Sequence, residues 1–193
     1  MVRNAGFERA NGNEPAVPDE WTAAKFYGGQ GSIELVPSPC HAGRQALKIS
    51  RTTGVLGCEQ KQVVLKPNTL YRFGFWARAE AGAGDDSPLV RLVAPLYNAG
   101  GRRVATERAY FEISDWPQPD RWQHIQKRGL FPYRSDVVTP PDTAYCDLRV
   151  EAYAGGAGTI YVDDVEIVEV APEDLTPPVA VVPGTVELFT PHP

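Results

Sequence analysis

The distribution of apolar and polar residues along the chain predicts β-strands. No window of about 11 residues keeps the helical spacing of apolar positions without an interrupting glycine or proline. Alternation of apolar and polar residues is common instead, which is typical of strands with one buried face. The clearest alternating runs are 46–50, 71–78, 148–153 and 160–168, and further candidate strands are 62–65, 89–97 and 122–129.

Glycine- and proline-rich segments separate these runs. Turns are predicted at 66–69 and 98–101, a hairpin loop at 81–86, and a glycine-rich turn at 155–158. Short strands joined by turns favour an all-β protein, a β-sandwich or jelly roll.

Alternation also assigns faces to the predicted strands. In 148–153, Leu148, Val150 and Ala152 share one face, which leaves Arg149, Glu151 and Tyr153 on the other. That second face is either the floor of a binding groove or a solvated outer surface. In 71–78, Tyr71, Phe73, Phe75 and Ala77 are expected in the core. Trp76 faces the opposite way, where it stacks on a sugar or is covered by a loop or by the C-terminal tail.

Composition fits one folded domain of moderate size. The chain has 193 residues, with 18 glycines and 18 prolines, which suits a loop-rich fold. No stretch approaches the roughly 18 apolar residues that span a bilayer. The net charge of −5 and the scattered basic residues argue against nucleic acid and anionic membranes as partners.

The two ends of the chain differ from the rest. Residues 1–170 are expected to form the domain, and 171–193 are a proline-rich linker or tail that packs back or begins another domain. The first residues contain no apolar signal-peptide core. The sequence is therefore compatible with a cytosolic protein or with a piece of a longer secreted one.

The cysteines leave two interpretations open. There are three, Cys40, Cys58 and Cys146, and no CxxC pair that would indicate zinc or thioredoxin chemistry. Cys40 and Cys58 form a disulfide between neighbouring strands, or all three are buried free thiols.

Catalytic signatures are weak. His41, His124 and His192 are far apart, and there is no GxSxG or phosphate-loop motif. The acid pairs are adjacent in sequence, a poor arrangement for a facing general acid and base. The chain is therefore expected not to be an enzyme, with a polysaccharide lyase built on the Tyr, Arg and Glu side chains of 148–153 as a minor alternative.

Several short motifs occur in a characteristic order, and together they resemble one group of families. The motifs are NAGFE at 4–8, PDEW at 18–21, HAGRQALKI at 41–49, LKPNTLYRFGFWA at 65–77, RWQ at 121–123 and IYVDDV at 160–165. This set, covering about residues 3 to 170, resembles carbohydrate-binding modules of the families 4, 9, 16 and 22 type. The resemblance implies a jelly roll of two antiparallel sheets.

The resemblance also implies a structural Ca²⁺ that ties the first strand to the last. Glu8 and one of Asp163 and Asp164 would supply carboxylate oxygens, and backbone carbonyls near 38–43 would complete the shell. Since neighbouring residues of a strand point to opposite faces, Asp163 is favoured over Asp164. The alternative is that Glu8 is a surface carboxylate and that the Asp pair marks the end of a strand.

A polysaccharide or oligosaccharide is the ligand that the resemblance implies. Aromatic rings stack on sugar C–H faces, and polar side chains pair with hydroxyls. The candidate ligand-binding residues are Arg149, Glu151, Tyr153, Trp76, Tyr97, Tyr110 and Trp116. Trp21 and Trp122 are expected to pack structurally. One departure is that 51–57, where xylan-binding relatives carry an aromatic platform, contains no aromatic residue.

The sequence therefore predicts a non-catalytic carbohydrate-binding module. Its expected partners are a polysaccharide and a catalytic glycoside hydrolase or lyase domain on the same parent chain, and its expected location is extracellular. The alternative is a structural β-sandwich that spaces or assembles domains without a sugar site.

Overall fold

A computed structural model describes residues 1–80, 88–104, 110–126, 136–153 and 155–171, except for the side chains of 110, 111, 136 and 137. These residues form nine strands: β1 (Thr22–Val36), β2 (Ala46–Val64), β3 (Leu70–Ala79), β4 (Leu89–Tyr97), β5 (Tyr110–Asp115), β6 (Gln123–Ile125), β7 (Asp136–Val138), β8 (Tyr145–Tyr153) and β9 (Gly158–Glu169). The part of the chain described contains no helix able to cross a membrane.

The long hairpin of β1 and β2 is shared by two antiparallel layers. The second part of β2 pairs with β8, which continues to β4 and β5, and we call this layer the front sheet. The first part of β2 pairs with β9, which continues to β3, β6 and β7, and we call this layer the back sheet. The expected all-β sandwich of antiparallel sheets is confirmed.

A single apolar core fills the space between the two sheets. Leu92 of β4 and Leu148 of β8 come from the front sheet, and Phe73 of β3 and Val162 of β9 come from the back sheet; all four are fully buried. The faces predicted for 71–77 and 148–152 are confirmed, because every residue assigned to the core is buried. Trp21 is also buried and packs edge-on against Phe7.

Strand β1 is the main element that the pattern did not predict. Its first part, 22–26, pairs with the front-sheet part of β2, and its last part, 30–36, pairs with the back-sheet part. Register shifts lie between Phe26 and Gln30 and between Gln30 and Gly31, where the strand changes layer. Glycines at this corner interrupt the alternation that would have indicated a strand.

One sequence-based prediction is wrong, and several others concern residues that the structure does not describe. Cys40, Cys58 and Cys146 are all free, so the disulfide alternative is wrong. Cys58 lies in the core while Cys40 lies in the β1–β2 loop, which keeps them apart. The loop at 81–86, the end of the run 122–129, and the tail from 172 to 193 lie outside the described residues.

Candidate functional site

The outer face of the front sheet carries a row of charged and small side chains. Because β8 alternates, Arg149, Glu151 and Tyr153 share this face as predicted. Glu151 lies between Gly57 of β2 on one side and Arg91 of β4 on the other. Two residues further along β4, Val93 lies opposite Arg149. The neighbouring strands β4 and β8 thus bring their polar side chains to one place, beside a glycine of β2.

Glu151 is the centre of a buried ion-pair cluster. Its Oε2 accepts a hydrogen bond of 2.7 Å from Arg91 Nε, and Arg91 Nη1 lies 3.5 Å from Glu112 Oε1. On the other side Arg149 Nε lies 3.5 Å from Glu151 Oε1. The Glu151 side chain is 0% exposed, so two arginines compensate a carboxylate that burial alone would make costly.

Two aromatic rings enclose this cluster. The Arg91 guanidinium carbon lies 3.8 Å from the centroid of the Tyr153 ring. The Arg149 guanidinium carbon lies 4.7 Å from the centroid of Phe26 in β1. The cluster is therefore a continuous series of Tyr153, Arg91, Glu151, Arg149 and Phe26, in which flat apolar surface borders fixed polar groups.

Two polar atoms in the middle of the series have no hydrogen-bond partner among the described residues. They are Arg149 Nε, a donor, and Glu151 Oε1, an acceptor, and both are buried. Their separation of 3.5 Å makes an ion pair but not a hydrogen bond. Buried unpaired groups are uncommon in folded proteins and call for an explanation.

The other predicted ligand residues are dispersed. Tyr97 stacks on Tyr145 with ring centroids 5.2 Å apart, at the opposite end of the front sheet from Tyr153. Along β8 the two ends are about 26 Å apart at ~3.3 Å per residue. Trp116 follows β5 directly and is exposed, near the Tyr153 end. The side chain of Tyr110 lies outside the described residues.

Trp76 lies on the other side of the molecule, on the outer face of the back sheet. The His41 ring stacks on it with centroids 3.8 Å apart, and the His124 ring stacks on it at 4.9 Å. Carboxylates hold both imidazoles, Asp164 at 2.7 Å and Glu166 at 3.1 Å. Trp76 is thus not brought together with Arg149 and Glu151, and its stacking surface is already in use.

Two of the three acidic residues predicted to bind calcium, Asp163 and Asp164, bring carboxylate oxygens to Gly6, and Glu8 comes near it only with its Cγ. A Cβ added at Gly6 would lie 3.1 Å from Asp164 Oδ1, 3.7 Å from Asp163 Oδ1 and 3.9 Å from Glu8 Cγ. The β1–β2 loop closes over them, because His41 N donates to Asp163 Oδ2 at 2.8 Å and Arg44 N donates to Glu8 Oε1 at 2.9 Å.

The strict strand alternation used to favour Asp163 over Asp164 does not hold here. Asp164 has a φ of 45°, and the pairing of β9 with β3 shifts register beside it, so the strict alternation of a strand fails there. Both carboxylates therefore turn toward Gly6.

Asp163 is a fully buried carboxyl. Burial raises its pKa to about 6, against the hydrogen bonds from the His41 and Ala42 backbones, which lower it. Among the described residues no group of three or more His, Cys, Asp and Glu side chains is arranged to hold a metal ion. An ion here would need backbone carbonyls in addition to the carboxylates, as calcium sites commonly use.

Arg91, Glu112 and Phe26 are site residues that the sequence interpretation missed. Arg91 is on the same face of the predicted strand 89–97 as Tyr97, so alternation along that strand could have identified Arg91 as an outward-facing residue. Its partnership with Glu151 depends on the pairing of β4 with β8, which no local pattern specifies. Phe26 was missed together with β1.

The fold is similar to those of known carbohydrate-binding modules. A family 16 carbohydrate-binding module is 22% identical with a TM-score of 0.53, over 78% of this chain and 92% of that one. The CBM22-1 xylan-binding domain from Paenibacillus barcinonensis Xyn10C is 14% identical with a TM-score of 0.56, over 86% and 93%.

The same fold occurs within a larger protein. The enzymatically active domain of bacteriophage CBA120 tailspike protein 4 is 14% identical with a TM-score of 0.61, over 88% of this chain but only 21% of that one. No family model and no curated protein matches the sequence. These similarities confirm the fold implied by the motifs, and the evidence for function comes from the site itself.

Proposed function

We propose that this protein is a non-catalytic module that binds a polysaccharide or oligosaccharide on the outer face of its front sheet. The observation that carries the proposal is the pair of buried atoms without partners, Arg149 Nε and Glu151 Oε1. Both atoms are buried, so the side chains around them must part to admit a ligand. A single hydroxyl would then accept a hydrogen bond from the first and donate one to the second. Sugars present such hydroxyls beside apolar C–H faces, which suit the neighbouring rings of Tyr153 and Phe26.

The similar folds support this assignment. One of the similar proteins is described as a xylan-binding domain, and its module covers nearly the same length of chain. The alternative function is a structural sandwich that spaces other domains. A structural role gives no reason for a buried donor and a buried acceptor to lie side by side without hydrogen bonds on an outer sheet face.

The test is affinity gel electrophoresis on soluble xylan and mixed-linkage β-glucan, with Arg149→Lys as the main variant. Lysine keeps the charge but loses the Nε–H, so the affinity should fall about tenfold, as expected for one charge-assisted hydrogen bond. Arg78→Lys is a matched control, because Arg78 also has a buried Nε without a partner among the described residues but lies on the back sheet.

Each outcome has a distinct meaning. Retention that falls for Arg149→Lys and not for Arg78→Lys supports the front-sheet site. Retention that both variants keep would overturn the placement of the site. A wild-type protein that neither polysaccharide retains would count for the structural alternative.

We further propose that a structural Ca²⁺ binds beside Gly6, with Asp163, Asp164 and Glu8 as its carboxylate ligands. A buried carboxyl whose pKa is raised to about 6 lacks a compensating cation, and a divalent ion would favour its ionised form. The ion would add charge compensation at the point where the N-terminal segment, the β1–β2 loop and β9 come together. Carbonyl oxygens of these segments would complete its shell.

We also propose that the module acts outside the cell as part of a longer carbohydrate-active protein. In support, the same fold makes up about a fifth of the tailspike chain to which it is similar. An antibody against the module should detect it in the culture medium as part of a larger chain. Detection only inside intact cells would contradict the extracellular assignment.

A further inference from the structure

Tyr27 is an exposed aromatic residue that packing does not explain. Its side chain is 87% exposed, against 57% for Trp116. Its φ is 50°, in the left-handed region that bulky side chains rarely adopt. Phe7 also has a positive φ, of 55°, but Phe7 is fully buried against Trp21, so the core accounts for it.

The backbone at Tyr27 is tightly fixed. Tyr27 lies at the corner where β1 passes from the front sheet to the back sheet, and it is followed by Gly28, whose φ is 71°. Opposite, a Cβ added at Gly54 would come within 2.6 Å of the Tyr27 carbonyl oxygen. The corner thus holds the residue at a set position beside Phe26, although asparagine or glycine would suit this conformation better.

Tyr27 adjoins a row of apolar side chains that crosses the front sheet next to the charged cluster. Phe26 pairs with Val55, and Tyr153 pairs with Leu89. Val55 and Leu89 are buried, so the accessible surface of the row is that of its aromatic residues. Val55 and Tyr153 each lie one residue beyond Leu56 and Ala152, the last paired residues of β2 and β8 at this end. Trp116 follows Asp115, the partner of Val90, so it ends the row on the β5 side.

The row places aromatic side chains next to the segment 51–57, which has none of its own. The segment 51–57 contains no aromatic residue, yet Phe26 lies directly opposite Val55 of that segment, with Tyr27 next to it. Five strands at ~4.8 Å spacing make the row about 19 Å long, with an exposed aromatic residue near each end.

We infer that Tyr27 is a sugar-stacking residue at the β1 edge of the front sheet, and that the ligand lies across the strands from Tyr27 toward Trp116. This inference rests on the proposed function. The strained backbone then has a purpose, since strain is characteristically retained at binding sites. The phenol ring offers a flat apolar face to a sugar ring, with a hydroxyl at its rim.

The experiment compares Tyr27→Asn, Tyr27→Phe and Val64→Asn on soluble xylan and mixed-linkage β-glucan, with the Tm of each variant. Asparagine removes the ring but tolerates a positive φ, so Tyr27→Asn should weaken binding roughly tenfold while its Tm stays equal or rises. Phenylalanine keeps the ring and should keep most of the affinity. Val64 is exposed on β2 at the far end of the front sheet, so Val64→Asn should bind normally.

A loss of affinity without a loss of Tm in Tyr27→Asn distinguishes a binding role of Tyr27 from a structural one. A Tyr27→Asn protein that binds as well as wild type would overturn the inference and leave the proposed function intact. Parallel losses of affinity and Tm would assign Tyr27 a structural role and overturn it as well. Wild-type protein that neither polysaccharide retains would defeat the proposed function, and this inference with it.

Discussion

The front sheet buries charged side chains, and burying a charge costs free energy unless another group compensates it. Glu151 is fully buried, and its two oxygens are treated differently: Oε2 has a short hydrogen bond from Arg91, and Oε1 has none among the described residues. The net gain from a buried ion pair is small, because desolvation offsets the attraction. The proposed binding of a ligand would account for this arrangement, whereas a gain in stability does not.

The sequence identified some of these residues and could not identify others. Alternation was enough to place Arg149, Glu151 and Tyr153 on one face, because that depends only on local geometry. It also put Trp76 on the face opposite the core, but it could not show that His41 from a loop and His124 from β6 enclose the Trp76 ring. Contacts between residues distant in sequence depend on the whole fold.

The cysteines give a prediction at this scale. Burial raises the pKa of both Cys58 and Cys146 to about 12, so their thiols stay protonated and unreactive at pH 8. Cys40 is only half-buried, in the β1–β2 loop. A thiol-disulfide reagent such as DTNB at pH 8 should therefore modify one cysteine in the native protein and all three after denaturation. Rapid reaction of three thiols in the folded protein would contradict the buried positions.

At the scale of elements, β2 determines the architecture because it belongs to both sheets. Arg51 holds the bend between its two parts. Its Nε donates to the carbonyl oxygen of Gly54 at 2.5 Å, and its Nη1 donates to that of Gly156 at 2.6 Å. A buried guanidinium thus joins the bend of β2 to the loop between β8 and β9. The sequence predicted only the ends of β2, because glycines interrupt its centre.

Replacing Arg51 with alanine should destabilise the protein by about 3 kcal/mol, because buried carbonyl groups lose charged donors. Urea denaturation would measure the free energy of unfolding. Arg9→Ala is the control, since Arg9 makes an exposed ion pair with Asp19 at 3.6 Å and should change stability by less than about 1 kcal/mol. Equal effects of the two substitutions would show that Arg51 does not hold the bend.

At the scale of the whole molecule, the N-terminal segment is bound to the last strand. Val165 N donates to the Ala5 carbonyl at 3.0 Å, next to the Ca²⁺ site proposed beside Gly6. The motifs at 4–8 and 160–165 predicted that these segments belong together through the family resemblance. Their bulged geometry was not predictable, since it arises where β9 shifts register against β3.

Calcium should stabilise this junction and hence the whole fold. A ligand that binds only the folded protein raises its Tm by mass action, so CaCl₂ should raise the Tm and EDTA should lower it. Asp163→Asn should abolish the response, whereas Asp120→Asn, an exposed partner of Arg78, should keep it. Differential scanning calorimetry makes the measurement. A wild-type Tm that is the same with CaCl₂ and EDTA would eliminate the proposed ion.

The position of β2 also determines when this protein can fold during its synthesis. Leu47 pairs with Val162, and Cys58 pairs with Val150, so an early strand finds its partners only near the end of the described chain. Until those residues leave the ribosome, β2 can pair only with β1, and a lone hairpin is marginally stable in water. The apolar face of β2 therefore stays uncovered through most of translation. We expect a nascent-chain chaperone to protect this segment.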